Sequence, residues 1–321
     1  MISPLVLDIV LFIVGAALVV LGADWLVDGA SGIARRFGLS EFLIGVTIVG
    51  IGTSLPELVV STIGAVEGNA DIAIGNVTGS NMFNTLLILG ITALLMPIPY
   101  TRSNVRRDMP LCVAASLLLL IFVLDRFIFH TAASTITRWE GIVFLLCFVA
   151  FLWYSFKQDS GSQEDETAKP MKLWKAVALV LLGIGGLVYG GQLFVDHATG
   201  IARQIGVSDA FIAITIMAGG TSLPELATCV VAAAKKRGQM ALGNIIGSNI
   251  SNILLILGVC ATITPLHVVR INQFSILAVL AAAIILLLTA ATFRKNKLDR
   301  PEGLLFIVLY AAYIYAVLQL Q

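Results

Sequence analysis

The sequence predicts an all-α integral membrane protein of ten transmembrane helices, arranged as two inverted five-helix repeats. Three observations predict it: an apolar composition, ten apolar segments of membrane-spanning length, and an internal repeat that returns after an odd number of helices. The 321 residues are 58% hydrophobic and only 12% charged, with a mean hydropathy of +0.97; soluble domains carry about twice that charged fraction. Apolar stretches fall at 5–27, 41–66, 71–97, 109–125, 139–156, 172–195, 209–234, 239–265, 273–292 and 302–320. Each is long enough to cross a ~30 Å hydrocarbon core. Helices are expected throughout, because a lipid-exposed backbone must satisfy its own hydrogen bonds, and the alternation of a β-barrel is absent.

The first segment lacks a basic leader and is apolar from Leu5 to Ala23, so it reads as a retained helix rather than a signal peptide. The one hydrophilic connector, Lys157–Lys172, is polar and acidic, as a flexible linker would be. It divides the chain into an N-terminal repeat (1–157), a linker (158–171) and a C-terminal repeat (172–321). Alternate connections hold sixteen and four of the twenty basic residues. By the positive-inside rule the rich side, with Arg35, Arg106, Lys157, Lys235 and Arg300 among others, faces the cytoplasm and both termini lie outside. That orientation predicts a plasma (inner) membrane protein. The net charge of +1 and the lack of a large basic cluster give no sign of nucleic-acid binding. Cys112, Cys147, Cys229 and Cys260 are scattered singly in apolar segments, which predicts neither disulfides nor a zinc site.

Gly22–Gly90 aligns without a gap onto Gly190–Gly258, with about half the positions identical. GTSLPEL occurs at Gly52–Leu58 and again at Gly220–Leu226; GNVTGSNMFNTLLILG (Gly75–Gly90) returns as GNIIGSNISNILLILG (Gly243–Gly258). Five helices separate equivalent points, so the second copy runs through the membrane in the opposite sense. Inverted repeats are a mark of secondary transporters, with the substrate at their interface near the midplane.

Glu57 and Glu225 are the only ionisable residues well inside the expected spans. An ionised side chain at the bilayer centre costs at least ~2.5–3.5 kcal/mol on the insertion scale, and no lysine or arginine lies at that depth. A cation is the natural counter-charge; two protonated glutamates bonded to backbone are the structural alternative. Thr53 and Ser54, and their repeat mates Thr221 and Ser222, lie one helical turn before each glutamate. Pro56 and Pro224 have no amide hydrogen, and Gly50, Gly52, Gly219 and Gly220 loosen the same turns, which predicts broken helices with free carbonyls. Asn76, Ser80 and Asn84 form one polar stripe; Asn244, Ser248 and Asn252 form its mate. Helix-to-helix bonding suits Asn76, Asn81, Asn244 and Asn249, whereas ion ligation suits Ser80, Asn84, Ser248 and Asn252. All these are hard oxygen donors, which favour calcium, magnesium or sodium over zinc or copper. Two carboxylates and a divalent ion leave a near-neutral site.

The paired GTSLPE and GSN segments resemble the α-repeats of the calcium/cation antiporter superfamily, specifically its prokaryotic sodium/calcium exchanger branch. The resemblance covers the full ten-helix layout. It implies exchange of cytoplasmic calcium for external sodium by alternating access, with ions as cargo, no cofactor and no enzymatic step. Carried over by motif position, it implies central ligands Glu57, Glu225, Asn84 and Asn252. The hydroxyls of Thr53, Ser54, Ser80, Thr221, Ser222 and Ser248, and the carbonyls of Gly50 and Ala218, would complete the calcium and sodium sites. Some family members, including the potassium-dependent branch, have an aspartate where this chain has Asn252, which argues against potassium co-transport. The expected partners are calcium, sodium and the lipid bilayer, with a monomer as the working unit. A proton/calcium exchanger and a passive cation channel are the competing functions. An intramembrane hydrolase built on Ser54 or Ser222 lacks a nearby base.

Among the remaining features, the glycines from Gly183 to Gly191 read as close helix packing rather than a nucleotide loop. Asp24, Asp28 and Asp196 read as solvated helix ends, and His130, His197 and His267 as residues of external connections. The triplets at Asn76 and Asn249 match a glycosylation signal but fall in buried segments.

Overall fold

A computed structural model of the chain describes residues 4–124, 134–159, 161, 171–206, 218–268, 273–292 and 296–320. Within these the architecture is almost wholly helical. Its helices are α1 (Pro4–Phe37), α2 (Glu41–Thr53), α3 (Leu55–Val66), α4 (Ala70–Leu95), α5 (Asn104–Asp108 running into Met109–Val123), α6 (Arg138–Lys157), α7 (Leu173–Gln204), α8 (Ala218–Gly220), α9 (Leu223–Ala234), α10 (Gly238–Ile263), α11 (Gln273–Thr292) and α12 (Arg300–Leu320). Seven of them are long and apolar enough to cross a bilayer, and the bent pair α2–α3 passes the same test when its two helices are taken together.

Local chemistry accounts for the helix boundaries. Ser40 caps α2 by accepting from the Leu43 amide, and Thr137 with Glu140 forms a capping box at the start of α6. Between α2 and α3 the chain bends by 46°. There Ser54 leaves helical geometry (ψ 8°), and Ser222 does the same between α8 and α9 (ψ 7°). Each serine stands two residues before a proline in the first turn of the next helix. That proline cannot donate to the carbonyl four residues back.

Two helices form the centre of the molecule. The hydropathic stretch of α10 is 83% buried and that of α4 is 72%, against 17% for α1 and α12, whose apolar faces are left for lipid. The two halves of the chain interlock. α4 packs on α12, α10 on α6, and α5 on α11. Short antiparallel pairs tie the same partners together: β1 (Ile98–Pro99) with β4 (Lys297–Leu298), and β2 (Thr135–Ile136) with β3 (Leu266–His267). α1 and α7 run along each other as the most extensive helix pair. Glycines permit that approach: a Cβ on Gly22 would lie 2.7 Å from the Leu187 amide nitrogen, and one on Gly183 would lie 2.6 Å from that of Leu26. The close-packing expectation for the glycine run holds at Gly183, Gly186 and Gly190, while Gly185 and Gly191 meet nothing.

Two sequence expectations need correction. The first and sixth segments do not end at residues 27 and 195; their helices continue to Phe37 and Gln204. The residues that follow each apolar run are small or polar, many of them weak helix formers, so hydropathy falls while mutual packing of the two helices carries the helix on. His197 therefore sits inside α7, not in a connection, and bonds Asp8 of α1 at 2.7 Å. Residues 209–217 of the seventh segment, most of the linker and His130 lie outside the described residues.

Candidate cation site

The two broken segments bring the repeats together at the centre. Glu57 and Glu225 are both fully buried. Glu57 Oε1 accepts from Ser222 at 3.1 Å and from Ser80 at 3.4 Å. Glu225 Oε1 accepts from Ser54 at 3.0 Å and lies 3.4 Å from Ser248 Oγ. Each carboxylate is thus held by one serine of its own repeat and one of the other. The second oxygen of each, Oε2, is buried without a partner, and neither glutamate forms an ion pair among the described residues.

The supporting groups repeat this exchange. Thr53 Oγ1 donates to Asn244 Oδ1 at 3.2 Å, and its mate Thr221 donates to Asn76 Oδ1 at 3.4 Å. Asn76 in turn donates to Ser61 and to the Glu57 carbonyl, whereas Asn244 donates to Cys229. The Gly50 carbonyl accepts from the Ser54 amide at 3.3 Å and lies 3.1 Å from Ser248 Oγ. Ala218 opens the described part of its segment, at the position equivalent to Gly50.

Asn84 and Asn252 are fully buried and lie in short π-helical turns, Phe83–Ile88 and Asn252–Ile256. Such bulges are frequent at functional sites. The two asparagines are not equivalent. Asn252 donates to Asn81 Oδ1 at 3.0 Å, leaving its own Oδ1 unpaired. The mirror bond would join Asn84 Nδ2 to Asn249 Oδ1, and both atoms are buried without partners. Asn249 Nδ2 donates instead to Thr85 at 2.7 Å, and the mate of Thr85 is Ile253. Sequence reasoning missed Thr85; its one signal is a hydroxyl without a counterpart in the second repeat.

Unpaired buried polar atoms are costly, and here Glu57 Oε2, Glu225 Oε2, Asn84 Oδ1 and Asn252 Oδ1 are all unpaired at the centre of the fold. Among the described residues no three His, Cys, Asp or Glu side chains cluster. A metal here must therefore be held by two carboxylates and neutral oxygens, the donor set of a hard cation.

A cavity of about 530 Å³ lies beside this site between α7 and the α3–α9 core, lined by Pro56, Val60, Val195, Asp196, Thr221 and Pro224 among others, with Thr221 the one candidate ligand in its wall. Its repeat-mate path, along α1, is closed. Val60 is 39% exposed whereas its mate Thr228 is 1% exposed. Val195 and Thr221 are half-buried, but Val27 is 0% and Thr53 1% exposed.

A doubly acidic site lined with neutral oxygens and buried in an apolar helical bundle defines a cation transporter. The family model described as "Sodium/calcium exchanger protein" matches residues 7–157 and 175–319, and the chain belongs to that family, within the calcium/cation antiporter superfamily. It is 37% identical over 314 residues to the putative antiporter CaxA of Alkalimonas amylolytica, covering 94% of this chain and 96% of that protein. It is 31% identical over 343 residues to the sodium/calcium exchanger MaX1 of Methanosarcina acetivorans, covering 96% and 97%. Its fold matches a solved structure of the sodium-calcium exchanger NCX_Mj with a TM-score of 0.82 at 31% identity, over 96% of this chain and 98% of that one. The chain is a transmembrane antiporter, and its relatives are exchangers rather than enzymes.

Proposed function

We propose that this antiporter moves calcium against sodium by alternating access, with both ions competing for Glu57 and Glu225. The observation that carries the reading is the pair of buried carboxylates, each with one oxygen bonded across the repeats and one unpaired. Asn84 and Asn252 would add neutral oxygens. Ser54, Ser80, Ser222 and Ser248 would exchange their carboxylate bonds for ion contacts, while Thr53, Thr221 and the Gly50 and Ala218 carbonyls would complete flanking sodium positions. With both glutamates bidentate and two amide oxygens, the site reaches the six or more ligands calcium accepts. Two negative charges balance one calcium ion, so a site emptied of calcium must refill before it crosses the membrane. That requirement is the basis of exchange.

In this reading α2–α3 form one broken span, α8–α9 with the preceding residues form its mate, and ten spans make two inverted repeats with both termini outside. The interface lies within one chain, so a monomer suffices. The test is calcium uptake into sodium-loaded proteoliposomes. Uptake should follow an outward sodium gradient and ignore an imposed pH gradient. Uptake that ignores sodium and follows pH would assign a proton/calcium exchanger, with protons replacing sodium on Glu57 and Glu225. Flux without any counter-ion dependence would assign a channel.

A further inference from the structure

The open and closed paths differ in more than width. The turn between α9 and α10 carries Lys235, Lys236 and Arg237, and the equivalent turn between α3 and α4 carries Glu67, Gly68 and Asn69. Lys235 Nζ lies 2.7 Å from both Asp24 Oδ1 and Asp28 Oδ1 of α1, and donates to the Asp24 carbonyl at 3.4 Å. Arg237 adds a bond to Ser31 and an ion pair with Glu41 at 2.8 Å. Asp24, Asp28 and Ser31 form one stripe down α1, so two basic residues of a single turn grip it along more than one helical turn.

On the other face the basic residue is replaced by an acidic one. The mate of Lys235 is Glu67, and the mates of Asp24 and Asp28 are Gln192 and Asp196. Glu67 and Asp196 make no ion pair among the described residues, and Asp196 lines the open cavity. The gripped helix covers the closed path and the ungripped helix borders the open one.

We infer that Lys235 is a positioning residue for exchange: it latches α1 over one face of the cation site and thereby biases the protein toward the state open on the other. The bias is a property of this chain's charges, laid on a fold whose two halves are otherwise built alike. The inference rests on the alternating-access reading, in which the two paths open in turn. A partly exposed ion pair is a modest force, which suits a latch that must open in every cycle.

Thiol accessibility tests the latch without calling on ion transport. Val60→Cys reports the open path and Thr228→Cys the closed one. Labelling by a polar methanethiosulfonate is followed in buffer free of sodium and calcium, with the native cysteines giving the background. Lys235→Gln should slow labelling at position 60 and speed it at 228, each about threefold. Glu67→Lys installs a cation at the mirror position, with Asp196 as the mate of Asp28; it should slow labelling at 60 even if the Lys235 variant fails to fold. Unchanged rates at both positions in either folded variant would overturn the latch. Because no ion is present, this result is separate from whether the protein exchanges calcium, which the proteoliposome flux decides.

Discussion

Two glutamates carry the account at the scale of the residue. Their burial without basic partners makes each dependent on the cation and on the opposite repeat. Glu57→Gln and Glu225→Gln remove one charge while keeping shape, and each should lower calcium exchange by at least about a hundredfold, the ~3 kcal/mol typical of breaking a buried charge pair. Size-exclusion behaviour should stay unchanged, and near-normal flux in either variant would contradict the assignment. Thr85 supplies a finer test. Thr85→Val releases Asn249, whose free Oδ1 can then accept from Asn84 and fix it as Asn81 fixes Asn252. One such bond is worth ~1 kcal/mol, so half-saturating calcium should fall about fivefold, with Thr85→Ser retaining the original value. The glutamates, serines and asparagines were legible in the sequence because each occurs twice at one offset. The Asn249–Thr85 bond was not, since it crosses between repeats and breaks their symmetry.

At the scale of the element, the repeat also shows where backbone geometry is demanded. Gly68 closes the turn after α3 with φ +78°, and its mate Lys236 closes the turn after α9 with φ +60°. A side chain in the left-handed region costs about 1–2 kcal/mol. Lys236→Gly should therefore raise the thermal unfolding midpoint, and a lowered midpoint would show that the lysine side chain holds the turn by other means. The α1–α7 pair makes the opposite demand. Gly22→Val places methyl groups against the Leu187 backbone and should destabilise the protein by about 1–3 kcal/mol, as overpacking does, measured as a fall in the same midpoint. The broken helices were foreseeable from Pro56 and Pro224. The π-helical turns at Asn84 and Asn252 were not, because their one-residue excess leaves no mark on composition. The ends of α1 and α7 were misplaced for a related reason: hydropathy reports where lipid stops, and these helices continue into polar surroundings.

The whole molecule is two interlocked halves around a shared polar centre, with α4 and α10 inside and α1 and α7 across the access paths. The two halves share about half their residues over the aligned stretch, and their differences in charge distinguish one face of the molecule from the other. Membership of the sodium/calcium exchanger family follows from similarity along almost the full chain, whereas the identity of the counter-ion depends on the chemistry of the central oxygens. The most direct test of a cation shared by the two repeats is anomalous diffraction from crystals grown with calcium. A single strong anomalous peak is predicted between the carboxyl groups of Glu57 and Glu225, within about 2.3–2.6 Å of an oxygen of each. A peak elsewhere, or carboxyl groups that bind no calcium at saturating concentration, would contradict it.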